Sequence, residues 1–286
     1  MPADSASHAR PALRILWDVA LFRLRRLEMA NLFAALAIML ALRLPWPEVA
    51  LRLGFGLLLN LLAYLTNDYF DVDQDLRSPG RDPRKARFLR AHMGTAARLQ
   101  WGLAALLAVV ALLWSPDLLL PLALGAGVCW LYSWRLKRTP YLDVLAMITW
   151  GAAMPLVGCP LDSRLGWVLL GQLALLSACF ESIQIIRDHD EDVAAGVRTT
   201  AVRLGVGPTR LLLRLLMVAS AAYAAALLHR FIGPAMLLAL ALPLRRRLAG
   251  RYWNQVRMVM GLVWLAITGW IYWTGSPAGW LRIPGR

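Results

Sequence analysis

The sequence predicts an all-α, polytopic membrane protein. Three observations carry that expectation: an excess of apolar residues, their grouping into runs of spanning length, and an uneven distribution of positive charge between the runs. Of 286 residues, 59% are hydrophobic and only 17% charged, whereas soluble domains are nearer half apolar and a quarter charged. A chain of this length could form about two soluble domains, but a water-facing fold cannot absorb so much apolar sequence. A bilayer can. The net charge of +14 would suit a nucleic-acid binder only on a polar, aromatic-studded surface, and here the arginines sit between apolar runs. Cys129, Cys159 and Cys179 lie in or beside apolar stretches without CxxC spacing. They read as inert packing residues, not as a disulfide framework or a metal site.

A spanning helix needs roughly 20 mostly apolar residues. In chain order the segments that approach this are 28–44, 50–67, 98–114, 117–134, 141–158, 166–187, 209–228, 231–244 and 256–274, about nine transmembrane helices in all. The eighth is short, and is expected to be tilted, re-entrant, or extended by snorkelling of Arg245 to Arg247. The stretch from Met1 to Glu28 is polar and Arg-rich and lacks a small-residue cleavage site after its first apolar run, so no cleavable signal peptide is expected. No long Gly/Ser or Pro-rich linker and no internal repeat interrupts the succession, which predicts one domain.

Lys and Arg accumulate on the cytoplasmic side of membrane proteins. With nine spans, 25 of them fall on the side of the N-terminus and six on the other. This places the N-terminus in the cytoplasm and the C-terminus on the opposite side, and it accounts for the basic charge without nucleic acid.

Eight of the 17 acids fall in two short segments: Asp68, Asp71, Asp73 and Asp75, then Asp188, Asp190, Glu191 and Asp192. Each segment ends a long apolar run on the same predicted side, and carboxylates at a membrane core are functional candidates by default. Asp68, Asp71 and Asp75 are spaced i, i+3, i+7, and Asp188 and Asp192 i, i+4, so each set shares a helical face. Asn67 stands beside the first set; Gln184 and Glu181 extend the second face into the span. Like charges at such spacing repel unless a cation neutralises them. Oxygen donors without His or Cys point to Mg²⁺, which takes one or two carboxylates, several waters and substrate phosphate oxygens. Two acidic faces on one side would hold two or more ions bridging a diphosphate. Against this stands the plainer reading, solvated loop acids pairing with nearby arginines, which two matched clusters disfavour.

The segments Asn67-Asp68-Tyr-Phe-Asp71-Val-Asp-Gln-Asp75 and Asp188-His-Asp-Glu-Asp192 resemble the NDxxDxxxD and DxxxD motifs of the UbiA superfamily of intramembrane prenyltransferases. The stretch Tyr132-Ser133-Trp-Arg-Leu136-Lys137 is similar to that family's Tyr-Ser…Leu-Lys segment, and the nine-span plan covers nearly the whole chain. The resemblance implies a single domain over 1–286, with a cytoplasmic segment 1–27, a helical bundle around a central cavity open to the membrane, and polar cap loops 68–98 and 188–208. It implies that Asp68, Asp71, Asp75, Asp188 and Asp192 hold Mg²⁺ on a prenyl diphosphate. Lys137, with Arg138 or the arginines Arg81 and Arg84, would stabilise the departing diphosphate, and Arg198 is a further diphosphate-binding candidate in the run Gly196-Val-Arg198-Thr199-Thr200, which reads equally as a turn. Family members commonly carry an Arg-Pro pair after the first motif; here the loop reads Ser78-Pro-Gly-Arg81-Asp-Pro83-Arg84-Lys85-Ala-Arg87 and lacks it.

The implied chemistry is ionisation to an allylic cation, capture by an acceptor, and loss of a proton to a carboxylate or to released diphosphate. An electron-rich aromatic ring is the expected acceptor class. Asn67 would orient the acceptor or a metal-bound water, and Tyr132 is a third catalytic candidate, although an interfacial tyrosine is its plainer role; a topology anchor is the plainer role for Lys137. His189, one residue after Asp188, points off the shared face and reads as a solvated loop residue. Two rivals remain. An intramembrane terpene cyclase would ionise the same diphosphate with no acceptor. A cation-coupled transporter would place its acids near mid-membrane in broken helices, not at one face.

Overall fold

The computed structural model describes residues 5–25, 29–77, 83–244 and 249–283. Arg81 and the Arg245–Arg247 run lie outside these. Within them the fold is helical, with no strand and a single isolated bridge between His229 and Ala278. In chain order the α-helices are α1 (Ser5–Arg25), α2 (Ala30–Ala41), α3 (Trp46–Arg77), α4 (Pro83–Ala91), α5 (Met93–Trp114), α6 (Leu119–Trp134), α7 (Leu142–Ala153), α8 (Arg164–Ala194), α9 (Thr200–Leu204), α10 (Val206–Tyr223) and α11 (Ala249–Thr274).

Every expected span meets helical chain, although the segments differ in length. Six helices are long and apolar enough to span a membrane: those built on α3, α5, α6, α8, α10 and α11. The first and fifth segments are the shorter apolar helices Ala30–Ala41 and Leu142–Gly158, and the eighth is a 3₁₀ helix, Gly233–Ala241. Of the nine expected segments, six are thus helices of spanning length and three are shorter, among the described residues. Together they make a multi-pass membrane protein.

Helix length explains where the acidic motifs sit. α3 has 32 residues and α8 has 31, about 48 Å each at 1.5 Å per residue, against a hydrocarbon core of about 30 Å. Both helices therefore continue past the apolar layer, and Asp68–Asp75 and Asp188–Asp192 ride on their protruding turns. The expected cap loops 68–98 and 188–208 are accordingly mostly helix: the end of α3, then α4 and the start of α5; the end of α8, then α9 and the start of α10. α8 stops in a Schellman arrangement, with the Gly196 N–H donating to the Val193 carbonyl and the Val197 N–H to that of Asp192. Gly196 adopts φ +68° there, a conformation that suits glycine. Thr199 then caps α9 through its hydroxyl, so the run 196–200 forms a turn.

Two apolar cores divide the bundle. One gathers α8, α10 and α11 around Leu169, Ile183, Met217 and Ile267; the other gathers α3, α5 and α6 around Phe55, Leu59 and Leu107. α2 lies between them, giving Ile38 and Ala41 to the first and Ala35 and Met39 to the second. At Gly158 a β-carbon would stand 2.4 Å from the Ala35 carbonyl oxygen, so only glycine lets this turn press against α2. The site falls at the boundary of the halves, with α3 from one and α8 from the other.

The eighth segment owes its brevity to geometry. After α10 the helix widens into a π turn, Ala224–Leu228, whose loosened carbonyls accept from the chain that follows α11: Ala278 N–H to Leu228 O (2.7 Å), Trp280 to Ala225 (3.2 Å) and Leu281 to Ala226 (2.7 Å). The ends of α10 and α11 thus meet at one end of the bundle. The chain between them returns along α10 and α11 as a 3₁₀ helix, which rises about 2.0 Å per residue and covers depth with fewer residues than an α-helix.

Far from the motifs, Arg52 on α3 is 3% exposed and fully engaged. Its guanidinium donates to Glu48 (2.8 Å), to Asp117 (2.7 Å) and to the Val157 carbonyl (3.0 Å), tying α3 to the turns before α6 and after α7. Removing Arg52 leaves the partly exposed Glu48 and Asp117 carboxylates and the buried Val157 carbonyl without their donor. Arg52→Ala is therefore expected to lower the unfolding midpoint in detergent markedly, whereas Arg43→Ala, which removes exposed bonds to the Tyr272 and Trp273 carbonyls, should shift it little. Equal midpoints for Arg52→Ala and the parent would remove this staple from the account.

Candidate active site

The first acidic motif is shared between two neighbours. Asp71, on the side of α3 that faces α6, accepts from Lys137 and, at 2.9 Å, from the Asn67 amide. Lys137 belongs to a short 3₁₀ turn, Leu136–Arg138, that follows α6. The contact therefore bridges 66 residues of sequence. Asp68 turns the other way, to α1 and α4. It is 4% exposed, and accepts from Arg23 at 2.6 Å and Lys85 at 2.5 Å. Those two cations are themselves held over rings, Arg23 over Tyr64 at 4.5 Å and Lys85 over Phe22 at 4.2 Å. Asp75, half-buried, lines the same side, where a cleft of about 340 Å³ opens between Asp18, Phe22, Arg25, Asp68 and Lys85. The expectation of one central cavity rests on the resemblance; the cleft at this motif lies between α1, α3 and α4.

The second motif sits on the last two turns of α8. Asp188 is half-buried and gripped by its neighbour Arg187 in two bonds of 2.6 and 2.8 Å. Both partners are more than a third exposed, and pairs of that kind are worth little and exchange readily. Asp192 accepts from the Thr199 hydroxyl at 3.3 Å, and Lys137 lies close enough to act on it electrostatically. Lys137 therefore touches the first motif and reaches the second. His189 turns to Asp190, at 3.2 Å; it lies within α8 with its side chain only 19% exposed, not in a solvated loop, because α8 runs on through the motif.

Two groups beneath this layer position it. Asp143, at the start of α7, is completely buried and accepts from the Val144 and Thr200 N–H groups (2.8 and 2.7 Å) and from the Thr200 hydroxyl. This latch joins the chain just after Lys137 to the chain just after Asp192. Glu181, one of the acids on the extended second face, is 3% exposed and accepts from the Tyr132 hydroxyl at 3.0 Å.

Of the basic candidates, Lys137 is in place, Arg84, Arg138 and Arg198 are exposed, and Arg81 is outside the described residues. Sequence reasoning passed over Arg23, Lys85, Asp143 and Thr200 as site residues. Arg23 and Lys85 were legible only as members of basic segments, and no spacing ties Asp143 to Thr200. The donor set suits a hard divalent cation: Asp71, Asp75, Asp188 and Asp192 offer carboxylate oxygens only. Among the described residues no three His, Cys, Asp or Glu side chains converge as a preformed metal group.

With this geometry in view, the comparisons with known proteins decide the family. The UbiA prenyltransferase family model matches residues 29–250. The chain belongs to that family. It is 32% identical over 149 residues to a digeranylgeranylglyceryl phosphate synthase of Pyrococcus abyssi, covering 49% of this chain and 50% of that protein. It is 31% identical over 147 residues to one of Thermococcus kodakarensis, with the same coverage. The chain thus spans about half the length of these curated relatives in the match. Among solved structures, one concerned with digeranylgeranylglyceryl phosphate synthase in membranes superimposes with a TM-score of 0.68 at 15% identity, over 93% of this chain and 99% of that one. A UbiA homologue from Archaeoglobus fulgidus bound to GPP and Mg²⁺ gives 0.61 at 16% identity, over 92% and 99%. At such identities the likeness is one of fold.

Lys137 generates a direct test. Lys137→Ala takes the cation from a mostly buried Asp71 and is expected to cost stability, so turnover is compared on protein shown to be inserted and folded. Losing a donor to a developing oxyanion costs on the order of a hundredfold in turnover, and that loss is expected for prenyl diphosphate consumption. Lys137→Arg should recover part of it, since charge survives while geometry changes. Wild-type turnover by the alanine variant would make Lys137 a topology anchor.

Proposed function

We propose that this UbiA-family prenyltransferase carries out Mg²⁺-dependent transfer of a prenyl group from a prenyl diphosphate to a hydroxyl of a glyceryl phosphate acceptor within the membrane. The observation that carries the diphosphate site is Lys137, a cation in contact with Asp71 and within electrostatic reach of Asp192. The acceptor class follows the digeranylgeranylglyceryl phosphate synthases that the chain resembles over half its length. The aromatic acceptor that the sequence suggested finds no support among these relatives.

Asp71, Asp188 and Asp192 would hold the Mg²⁺, which when bound neutralises the diphosphate leaving group, while Asp75 lines the cleft on the Asp68 side of α3. Asn67 keeps the Asp71 carboxylate oriented through its amide. Asp68, buried against Arg23 and Lys85, is better suited to fixing α1 and α4 against α3 than to binding metal. Lys137 donates to the diphosphate oxygens as the C–O bond breaks, where a cation in a low-dielectric site is most effective. Arg187, on a readily exchanged surface pair, and the exposed Arg84, Arg138 and Arg198 supply further positive charge at the entrance. The Asp143–Thr200 latch holds the two sides of that entrance together.

The uneven distribution of Lys and Arg supports a cytoplasmic N-terminus and cytoplasmic motifs, with the C-terminus on the opposite side. A reporter that works only outside the cytoplasm, fused after Arg286, is expected to be active; activity of a cytoplasm-only reporter there would change the number of crossings.

Incubating membranes with a prenyl diphosphate and geranylgeranylglyceryl phosphate, an aromatic acceptor, or no acceptor, and identifying products by mass, tests the assignment. A prenylated glyceryl phosphate is expected, its formation abolished by excess chelator and restored by Mg²⁺. Asp71→Asn and Asp192→Asn should each lose most activity. Full turnover in chelator would end the metal reading, an aromatic product would restore the aromatic acceptor, and a hydrocarbon or terpenol made without acceptor would identify a cyclase.

A further inference from the structure

Glu181 is a carboxyl side chain that the diphosphate chemistry leaves without a task. It lies seven residues before Asp188 on the same strip of α8, about 10 Å deeper in the bundle at 1.5 Å per residue. Its neighbours along the helix, Cys179, Ile183, Ile185 and Ile186, are buried and apolar. An ionisable group at such depth is expensive and marks function by default. Its hydrogen bond among the described residues comes from Tyr132, at 3.0 Å. Tyr132 stands on the last turns of α6, five residues before Lys137. It is half-buried, and Lys137, five residues on, holds Asp71. The phenol therefore spans the interval between the diphosphate layer and the buried carboxylate.

We propose that Tyr132 and Glu181 form the seat of the acceptor's attacking hydroxyl, with Tyr132 in contact with it and Glu181 receiving its proton through Tyr132. The inference rests on the hydroxyl-acceptor reading above. In the step, the C–O bond of the prenyl diphosphate breaks and its electron pair leaves with the diphosphate. A lone pair of the acceptor oxygen forms the new C–O bond to the allylic carbon. The acceptor's O–H proton passes to the Tyr132 oxygen as the Tyr132 proton passes to Glu181, and the electrons of the broken O–H bond stay on the ether oxygen. Tyr132 is geometrically suited to this relay: its hydroxyl donates to Glu181, which leaves its own lone pairs to accept. Glu181 is thus a positioning residue that acts through Tyr132.

The test separates transfer from diphosphate binding. Glu181→Gln, Glu181→Asp, Tyr132→Phe and the Glu181→Gln/Tyr132→Phe double variant are assayed with geranylgeranyl diphosphate and geranylgeranylglyceryl phosphate, and their affinity for geranyl diphosphate with Mg²⁺ is measured by tryptophan fluorescence. Glu181→Gln keeps a hydrogen-bond acceptor but no base, so kcat for transfer is expected to fall about a hundredfold or more, with geranyl diphosphate affinity within about threefold of wild type. Glu181→Asp should recover part of the rate. The double variant should be no slower than the slower single variant, as expected of groups acting as a unit. Wild-type transfer by Glu181→Gln, or equal losses of transfer and diphosphate affinity, would overturn the relay and make the pair a packing contact. Should Glu181→Gln fail to fold, Tyr132→Phe decides alone: transfer at the wild-type rate overturns the proposal. A wild-type protein that binds no prenyl diphosphate, or prenylates only an aromatic ring, would overturn the functional reading first and this inference with it.

Discussion

Carboxylates at the edge of an apolar bundle have to be neutralised, and that constraint organises this protein. α3 and α8 each carry several acids where the chain leaves the membrane core, and burying even one unpaired charge there would cost several kcal/mol. The fold answers with cations drawn from elsewhere in the chain: Lys137 to Asp71, Arg23 and Lys85 to Asp68, and Arg187 to Asp188. Each of the first three pairings joins separate elements. The polar contacts that neutralise the acids therefore also assemble the polar end of the bundle.

The pairings differ in strength, and the difference sorts structure from chemistry. Asp68 is sealed between two cations that are themselves packed on aromatic rings, so displacing either would expose apolar surface and strand a buried acid. Asp188 is paired in solvent, where the net gain is small. Lys137 stands between these cases, part-buried and in contact with one motif while acting on the other. A group so placed can serve an incoming anion without dismantling the fold. The Asp143–Thr200 latch keeps the segments behind Lys137 and Asp192 in register, which a diphosphate bridging both motifs requires.

Depth adds a second division of labour. The protruding turns of α3 and α8 carry the groups suited to phosphate and metal, whereas Tyr132 and Glu181 lie farther in, where water is scarce and a proton needs a designated route. At the far end, Arg52 and the backbone bonds between the π turn and the chain after α11 hold the bundle closed. Charged groups thus concentrate at the two ends, with Glu181 buried between them, while mostly apolar side chains and a few buried polar contacts such as Gln172–Ser220 fill the interior.

Hydropathy and spacing determined the helical class and the placement of both acidic motifs at the ends of long apolar runs, because these are local consequences of residue type and a period of 3.6; the first set's common face is split, since Asp68 turns to α1 and α4 and Asp71 to Lys137. Glu181 was visible too, as a lone acid on the strip of α8 that leads to Asp188. Local signals could not say which apolar segments would be short: α2 has 12 residues and the segment 233–241 is a nine-residue 3₁₀ helix. Nor could they choose partners. Arg23 meets Asp68 across 45 residues, Tyr132 meets Glu181 across 49 and Lys137 meets Asp71 across 66. Among many arginines and lysines that look alike in sequence, only the packing of helices selects the few whose charged ends reach a buried acid, since an ion pair depends on separations of a few ångströms that no periodicity encodes.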